Sequence, residues 1–350
     1  MSNYDPHKFP YRWSLADGYP AKGIDYHGKT VFGTFVCGGG STMGYKLAGF
    51  NHLGGVELDP AIAEVYKRNN HPKNLYNMDI RDFNDLQDLP AELYNLDLLD
   101  GSPPCSTFSM QGQREKAWGK AKMFAEGQKK QRLDDLVFVY CDTIIKLQPK
   151  CFLLENVSGL IKGNGKVYCK KIVQYMAANG YDSQVFLLNS ASMGVPQMRE
   201  RVFVIGHKKE IKLPKLVMHF NEEPILFKEC KSKGFHRPLS GISLERWHIR
   251  ERGDRSMGHM AERLSGKGSN FSTRIIYEDE VCPTMTTGVN ALFEEPVYMN
   301  ADEVRDVSTF PQDYDFTGKS ADFLCGMSVP PVMTAQIAHQ IYLQWLKCLE

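Results

Sequence analysis

From residue 30 to about residue 207 the chain alternates short apolar runs with longer stretches whose apolar residues recur at helical spacing, and this alternation constrains the fold more than any other feature. Such alternation builds βαβ units. Because the runs are continuously apolar, the strands are expected to be buried on both faces, which predicts an α/β chain with a doubly wound parallel sheet. The runs at 30–36, 53–58, 75–80, 96–100, 151–155, 184–189 and 202–205 read as strands, and 133–147 and 166–176 read as helices. In sheets of this kind the ligand lies beyond the carboxyl ends of the strands, so chemistry is expected just after each run.

The chain's 350 residues suit one large domain and a smaller one. Its 42% hydrophobic and 24% charged residues are globular values, which excludes a disordered, collagen-like or coiled-coil chain. No run approaches the roughly 18 apolar residues of a membrane span, and residues 1–20 lack the apolar core of a signal peptide, so a soluble, cytoplasmic protein is expected. The nine cysteines are scattered, with no pair closer than ten residues, which fits a reducing compartment and excludes a Cys-x-x-Cys site. A net charge of +1 gives no global attraction to nucleic acid, so any such contact must come from local patches. Two patches stand out. Residues 209–271 carry 13 Lys and Arg against eight Asp and Glu, and residues 111–132 carry seven against two. In the first patch the strand and helix alternation fails, with no convincing register of either kind. The predicted organisation is therefore an extension at 1–29, the sheet domain at 30–208 and 274–350, and a small separate unit at 209–273.

The first run leads into Cys37-Gly38-Gly39-Gly40-Ser41 and then a helical pattern, where glycines let a ligand approach the backbone and a helix start offers free amides. Glu57 ends the second run, where a carboxylate can accept the two hydroxyls of a ribose, and Asp79 ends the third, within reach of an adenine amine. Singly, either acid reads equally well as a helix N-cap or a turn residue. No Gly-Lys-Ser/Thr follows the glycines, so an adenosine ligand without phosphates, such as S-adenosylmethionine, suits the acids better than a nucleoside triphosphate. After the fourth run comes Asp100-Gly101-Ser102-Pro103-Pro104-Cys105, with Cys105 where a nucleophilic thiolate could stand. The fifth run ends in Glu155-Asn156-Val157, a carboxyl on the neighbouring strand. Gln197-Met198-Arg199-Glu200-Arg201 leads into the last run, with two arginines at period two that could clamp a carbonyl or phosphate together.

In this order the segments resemble the DNA cytosine methyltransferases that methylate carbon 5, over about residues 30–207 and 274–345. The resemblance implies a Rossmann-like class I methyltransferase sheet with a small target-recognition domain at 209–273. It implies that Phe35, Gly38, Gly39, Gly40, Glu57, Asp79, Ile80 and Ser328 hold S-adenosylmethionine, that Cys105 is the nucleophile, that Glu155 binds the cytosine, and that Arg201, supported by Arg199, donates to the cytosine carbonyl. Pro104, Asn156, Gln111 and Gln197 are expected on the substrate side. Pro283-Thr284 and Phe310-Pro311 resemble later motifs, and Gly326 to Pro331 resembles the last one, whose helix returns to the cofactor loop. Cys37 stands where the family has glycine and Met327 where it has asparagine; both bear on cofactor affinity.

The implied reaction flips a cytosine from duplex DNA, adds the Cys105 thiolate to its carbon 6 and methylates carbon 5. Residues 111–132 are expected to form a lid over DNA, with Gln111 filling the vacated space, and Arg237, Arg250 and Arg252 are candidates for reading bases. A monomeric bacterial or phage enzyme is expected, of the restriction-modification or phage self-protection type, with any restriction endonuclease acting separately and no membrane involved. RNA as substrate and a non-catalytic nucleic-acid-binding relative are the rival readings. An amino-group methyltransferase is disfavoured, because Ser102-Pro103-Pro104 is followed by cysteine and not by an aromatic residue.

Overall fold

The structure, a computed structural model, describes residues 8–104, 136–163, 165–267 and 273–349. Among the described residues eight strands precede residue 209: β1 (Thr30–Thr34), β2 (Asn51–Glu57), β3 (Asn74–Asn77), β4 (Leu98–Gly101), β5 (Cys151–Val157), β6 (Tyr181–Asn189), the two-residue β7 (Gln197–Met198) and β8 (Glu200–Lys208). Seven of them form one sheet in the order β3-β2-β1-β4-β5-β8-β6. The helices α1 (Gly40–Leu47), α2 (Pro60–Asn70), α3 (Ile80–Asp85), α4 (Leu136–Leu147) and α5 (Gly165–Ala178) lie between the strands. Strands β1 to β5 are parallel, but β8 runs antiparallel to both β5 and β6, which corrects the expectation of a wholly parallel sheet. An apolar run buried on both faces has no marker of direction, so the reversal left no trace in the hydrophobic pattern.

Successive residues of the central strands feed opposite faces. Val31, Leu98, Leu153, Phe203 and Ile205 enter one apolar cluster, while Phe32, Leu99, Phe152, Leu154, Val202 and Val204 enter the other. This two-sided burial explains why the runs are continuous and not alternating.

Beyond β8 come α6 (Phe227–Cys230), α7 (Ile242–His248), α8 (Met257–Ser265), the short strands β9 (Arg274–Ile276), β10 (Cys282–Pro283) and β11 (Asn290–Leu292), then α9 (Ala301–Val307), α10 (Ala321–Met327) and α11 (Pro331–Ile341). Residues 209–273 thus contain helices that the sequence pattern did not announce, because each spans only one or two turns. Leu239, Trp247, Met257 and Met260 pack with Ile275, Tyr277 and Ala291, so their cluster draws on both sides of residue 273.

Residues 8–29 contain only one short helical turn, Leu15–Asp17, yet they are bound tightly to the sheet domain. Phe9 is wholly buried, the Trp13 indole donates to the Thr309 carbonyl at 2.9 Å, and the Leu15 and Ala16 amides donate to the Asp313 carboxylate at 2.6 and 2.9 Å.

Candidate active site

The carboxyl ends of β1, β2 and β4 meet the start of α1 and the end of α10 around a cleft of about 610 Å³, its open mouth included. Phe35, Cys37, Gly40, Ser41, Glu57, Ser102, Pro104, Met327 and Ser328 line it, together with Val36, Ile62 and Val329. Residues from sequence positions 35 to 329 therefore share one wall, and no Lys or Arg is among them. Among the described residues a phosphate would find no cation here, whereas the carboxylate, hydroxyls and apolar side chains suit a nucleoside carrying a neutral or cationic chain.

Local geometry explains the wall. Gly39 sits at φ +86° as the N-cap of α1, and a Cβ there would lie 2.2 Å from the Asn70 amide nitrogen. At Gly40 a Cβ would lie 2.3 Å from the Val329 carbonyl oxygen, so only glycine lets α1 press against the chain entering α11. The Gly40→Ala substitution is expected to cost roughly 1–3 kcal/mol of stability by overpacking against backbone and to weaken ligand binding in the cleft; denaturant unfolding and a binding titration measure the two effects.

Glu57 is held from both ends: one carboxylate oxygen accepts from the Cys37 amide at 2.9 Å, the other from the Asp59 amide at 2.9 Å. Burial pushes its pKa up while these bonds oppose the rise. Cys37 lies at φ +47°, the left-handed region in which a glycine would be unstrained, and burial followed by the nearby Glu57 charge pushes its thiol up to about 12, so it stays protonated at neutral pH. The Ser328 hydroxyl lies beside that thiol.

Four expected cofactor residues lie outside the lining. The Gly38 carbonyl accepts the Tyr314 hydroxyl at 2.6 Å, and Gly39 serves as the cap described above. Asp79 is not at a strand end: β3 stops at Asn77, and the Asp79 carboxylate caps α3 by accepting from the Arg81 amide at 2.9 Å, with the Arg81 guanidinium 3.2 Å away. Ile80 is buried in a small cluster with Leu136 and Phe35.

Beside the cleft, β4 and β5 are in parallel register with Gly101 opposite Leu154, so Glu155 follows directly on the strand next to the one that runs toward Pro104. Arg201 on β8 brings its Nε to 3.0 Å from the Glu155 carboxylate, both side chains being largely buried. An ion pair between two largely buried side chains is little screened by solvent, so it keeps the two groups beside one another. Arg201 also lines a neighbouring trough of about 900 Å³, with Val157, Ser158, Arg274 and Thr284 to Thr287.

Arg199 does not join Arg201 in a clamp. It is 2% exposed and donates to the Met285 carbonyl at 3.1 Å and the Gly326 carbonyl at 3.0 Å. Burial and the nearby Arg201 lower its pKa to about 9, which leaves it charged at neutral pH. It ties segments together. Gln197 and Asn156, expected on the substrate side, also have partners within the protein. The wholly buried Gln197 donates to the Val307 carbonyl at 3.1 Å and accepts from the Met285 amide at 3.0 Å, while the Asn156 amide donates to the Pro103 carbonyl at 3.2 Å and so fixes the Pro-Pro loop to β5. Cys105, Gln111 and the expected lid at 111–132 lie outside the described residues.

The base-reading candidates are also engaged. Arg250 lies 3.2 Å over the Trp247 ring and donates to the Phe293 carbonyl at 2.7 Å, Arg252 pairs with Asp279 at 2.6 Å, and Arg237 lies over Tyr298. Sequence reading missed the cleft residues Ser41 and Ser102, the trough residue Arg274, and Asp100, a carboxyl at the end of an apolar strand. Only that last oddity of composition was visible beforehand.

Residues 30–295 match the family model described as C-5 cytosine-specific DNA methylase. The chain is 24% identical to the type II methyltransferase M.DdeI of Desulfomicrobium norvegicum, covering 89% of this chain and 88% of that one. It is 26% identical to the type II methyltransferase M1.HphI of Haemophilus parahaemolyticus, covering 89% and 86%. Among solved structures, an E. coli prophage-encoded protein described as a DNA modification methyltransferase shares the fold with a TM-score of 0.66 at 18% identity, covering 90% of this chain and 99% of that one. Spodoptera frugiperda DNMT2 does so with a TM-score of 0.63 at 16% identity, over 90% and 99%. The sheet is thus of the Rossmann-like class I type. No helix among the described residues is long and apolar enough to cross a membrane.

Proposed function

Because this chain belongs to the C-5 cytosine-specific DNA methylase family, we propose that it flips a cytosine out of duplex DNA and methylates its carbon 5 through a transient bond to Cys105. The observation that carries this reading is the Glu155–Arg201 pair, joined at 3.0 Å and standing beside the strand that leads to Pro104 and Cys105. S-adenosylmethionine, held in the cleft by Phe35, Gly40, Glu57 and Ser328, supplies an electrophilic methyl group. The fit rests on an acidic and hydroxyl-bearing lining without cations among the described residues.

Carbon 5 of cytosine is too weak a nucleophile unaided. The Cys105 sulfur forms a bond to carbon 6, and the electron pair displaced from the 5,6 double bond moves toward ring nitrogen 3, which takes up a proton from solvent and is held in that protonated form by the Glu155 carboxylate. The resulting enamine is nucleophilic at carbon 5. Arg201, oriented by Glu155, stabilises charge on the ring carbonyl, a contribution of about 3 kcal/mol in comparable sites. After methylation, transfer of the carbon-5 proton to solvent water restores the double bond and expels the thiolate. Flipping costs a few kcal/mol, which phosphate contacts must offset. The basic segments 111–132 and 209–273 are proposed to provide them, the second as the target-recognition unit.

The restriction-modification or phage self-protection setting, a separately acting endonuclease, a monomeric state and a cytoplasmic location belong to the same reading. Incubation with S-adenosylmethionine and duplex DNA, followed by bisulfite sequencing, tests it: protected cytosines at one recurring site are expected. Methylation of RNA alone would transfer the chemistry to the other nucleic acid, and methylation of neither would remove it.

A further inference from the structure

Asp100 is an ionisable residue in the middle of the sheet. It is the third residue of β4, 2% exposed, flanked in register by Gly33 of β1 and Leu153 of β5. A buried carboxylate ordinarily has a cation beside it, yet among the described residues no Lys, Arg or His pairs with Asp100. Its partners are neutral: the Tyr45 hydroxyl at 3.1 Å, the Ser41 hydroxyl and the Gly101 amide. The side chains that face it are Ser41 and Tyr45 from α1, Tyr66 from α2, Tyr140 from α4 and Glu155 from β5, the last already joined to Arg201. Ser41 and Ser102 also line the cleft, so Asp100 is one hydroxyl away from it.

Resting on the cofactor reading above, we propose that Asp100 is the counter-charge for a cationic ligand in this cleft, acting through Ser41 to favour S-adenosylmethionine, with its sulfonium, over the uncharged sulfur of S-adenosylhomocysteine. A low-dielectric site without a resident cation gives the greatest electrostatic advantage to a ligand that brings one. Glu57, the other carboxyl of the wall, is already satisfied by two backbone amides and sits where both ligands present the same hydroxyls.

The pH dependence follows. Burial raises the Asp100 pKa to about 7, with the Ser41 and Tyr45 bonds opposing and the Glu155 charge adding to the rise. A bound cation lowers it, so binding expels a proton at pH values between the two pKa values, and affinity for the cation rises with pH until Asp100 is ionised in the free protein as well. The ligand without the sulfonium charge produces no such change, and the amino and carboxyl groups common to both ligands cancel in the ratio of their affinities.

Isothermal titration of the full chain with S-adenosylmethionine and S-adenosylhomocysteine, in two buffers of different ionisation heat, reads both affinity and proton release. For a displacement of about one pKa unit, the affinity ratio should rise about fivefold from pH 6 to pH 8, with net proton release for the cationic ligand only. The rise should vanish in Asp100→Asn and fall by at least half in Ser41→Ala, which keeps the carboxyl and covers the case in which the first variant fails to fold. It should persist in Tyr45→Phe. A flat ratio in the unaltered protein, or a rise unchanged in either of the first two variants, overturns the proposal while the cofactor reading stands. Failure of both ligands to bind the unaltered protein removes the cofactor reading and this proposal with it.

Discussion

Cys105→Ser is expected to abolish methyl transfer, by on the order of 10³-fold or more, while duplex binding persists. The proposed reaction needs an anionic sulfur, and a serine hydroxyl, far less acidic than a thiol, stays protonated at neutral pH. In the proposed reading, binding rests on phosphate contacts from basic segments that the substitution leaves alone. A duplex carrying 5-fluorocytosine at the target should be trapped, because fluorine cannot leave as the carbon-5 proton does; mass spectrometry should then find the adduct on Cys105. Six of the eight described cysteines are buried. Burial pushes the thiols of Cys37 and Cys141 up to about 12, so neither supplies a thiolate. Turnover retained by the serine variant, or an adduct on another thiol, would remove the assignment.

The second large effect concerns the buried ion pair. Glu155→Gln leaves Arg201 without its carboxylate, and Arg201→Ala leaves Glu155 without its cation. Each change should lower kcat about 10²-fold, the scale of one oriented transition-state donor. Because each residue positions the other, the double variant should lose little more than either single one, and the coupling should appear as strong non-additivity in kcat. Each single variant should also lose on the order of 3 kcal/mol of stability from the unpaired buried charge. A pair that only stabilised the fold would lower the unfolding free energy and leave kcat of the folded enzyme unchanged. Stopped-flow or single-turnover methylation beside denaturant unfolding separates the two outcomes.

The ends of β1, β2, β4 and β5 were readable because a strand buried on both faces must be continuously apolar, so each first polar residue marks a boundary. Glu57 and Glu155 were found in that way, and the cleft and the ion pair contain them. Asp79 and Asn156 were legible as polar residues at run ends, but not as the partners they have. An N-cap and a strap to a neighbouring carbonyl depend on which amide or oxygen lies within 3 Å or so, and spacing along the chain carries no such information. The helices of 209–273 escaped notice because an element of one or two turns cannot establish a period.

Sequence alone determined the class of sheet, the order of its strands along the chain and the residue types at their ends, since burial on two faces dictates composition locally. Tertiary structure decided the reversal of β8, the confinement of Arg199 and Gln197 to backbone carbonyls and amides, and the isolation of Asp100 from any described cation. Those outcomes depend on contacts between segments far apart in the chain. A side chain's partner, and with it its charge state, is settled only when those segments are packed together.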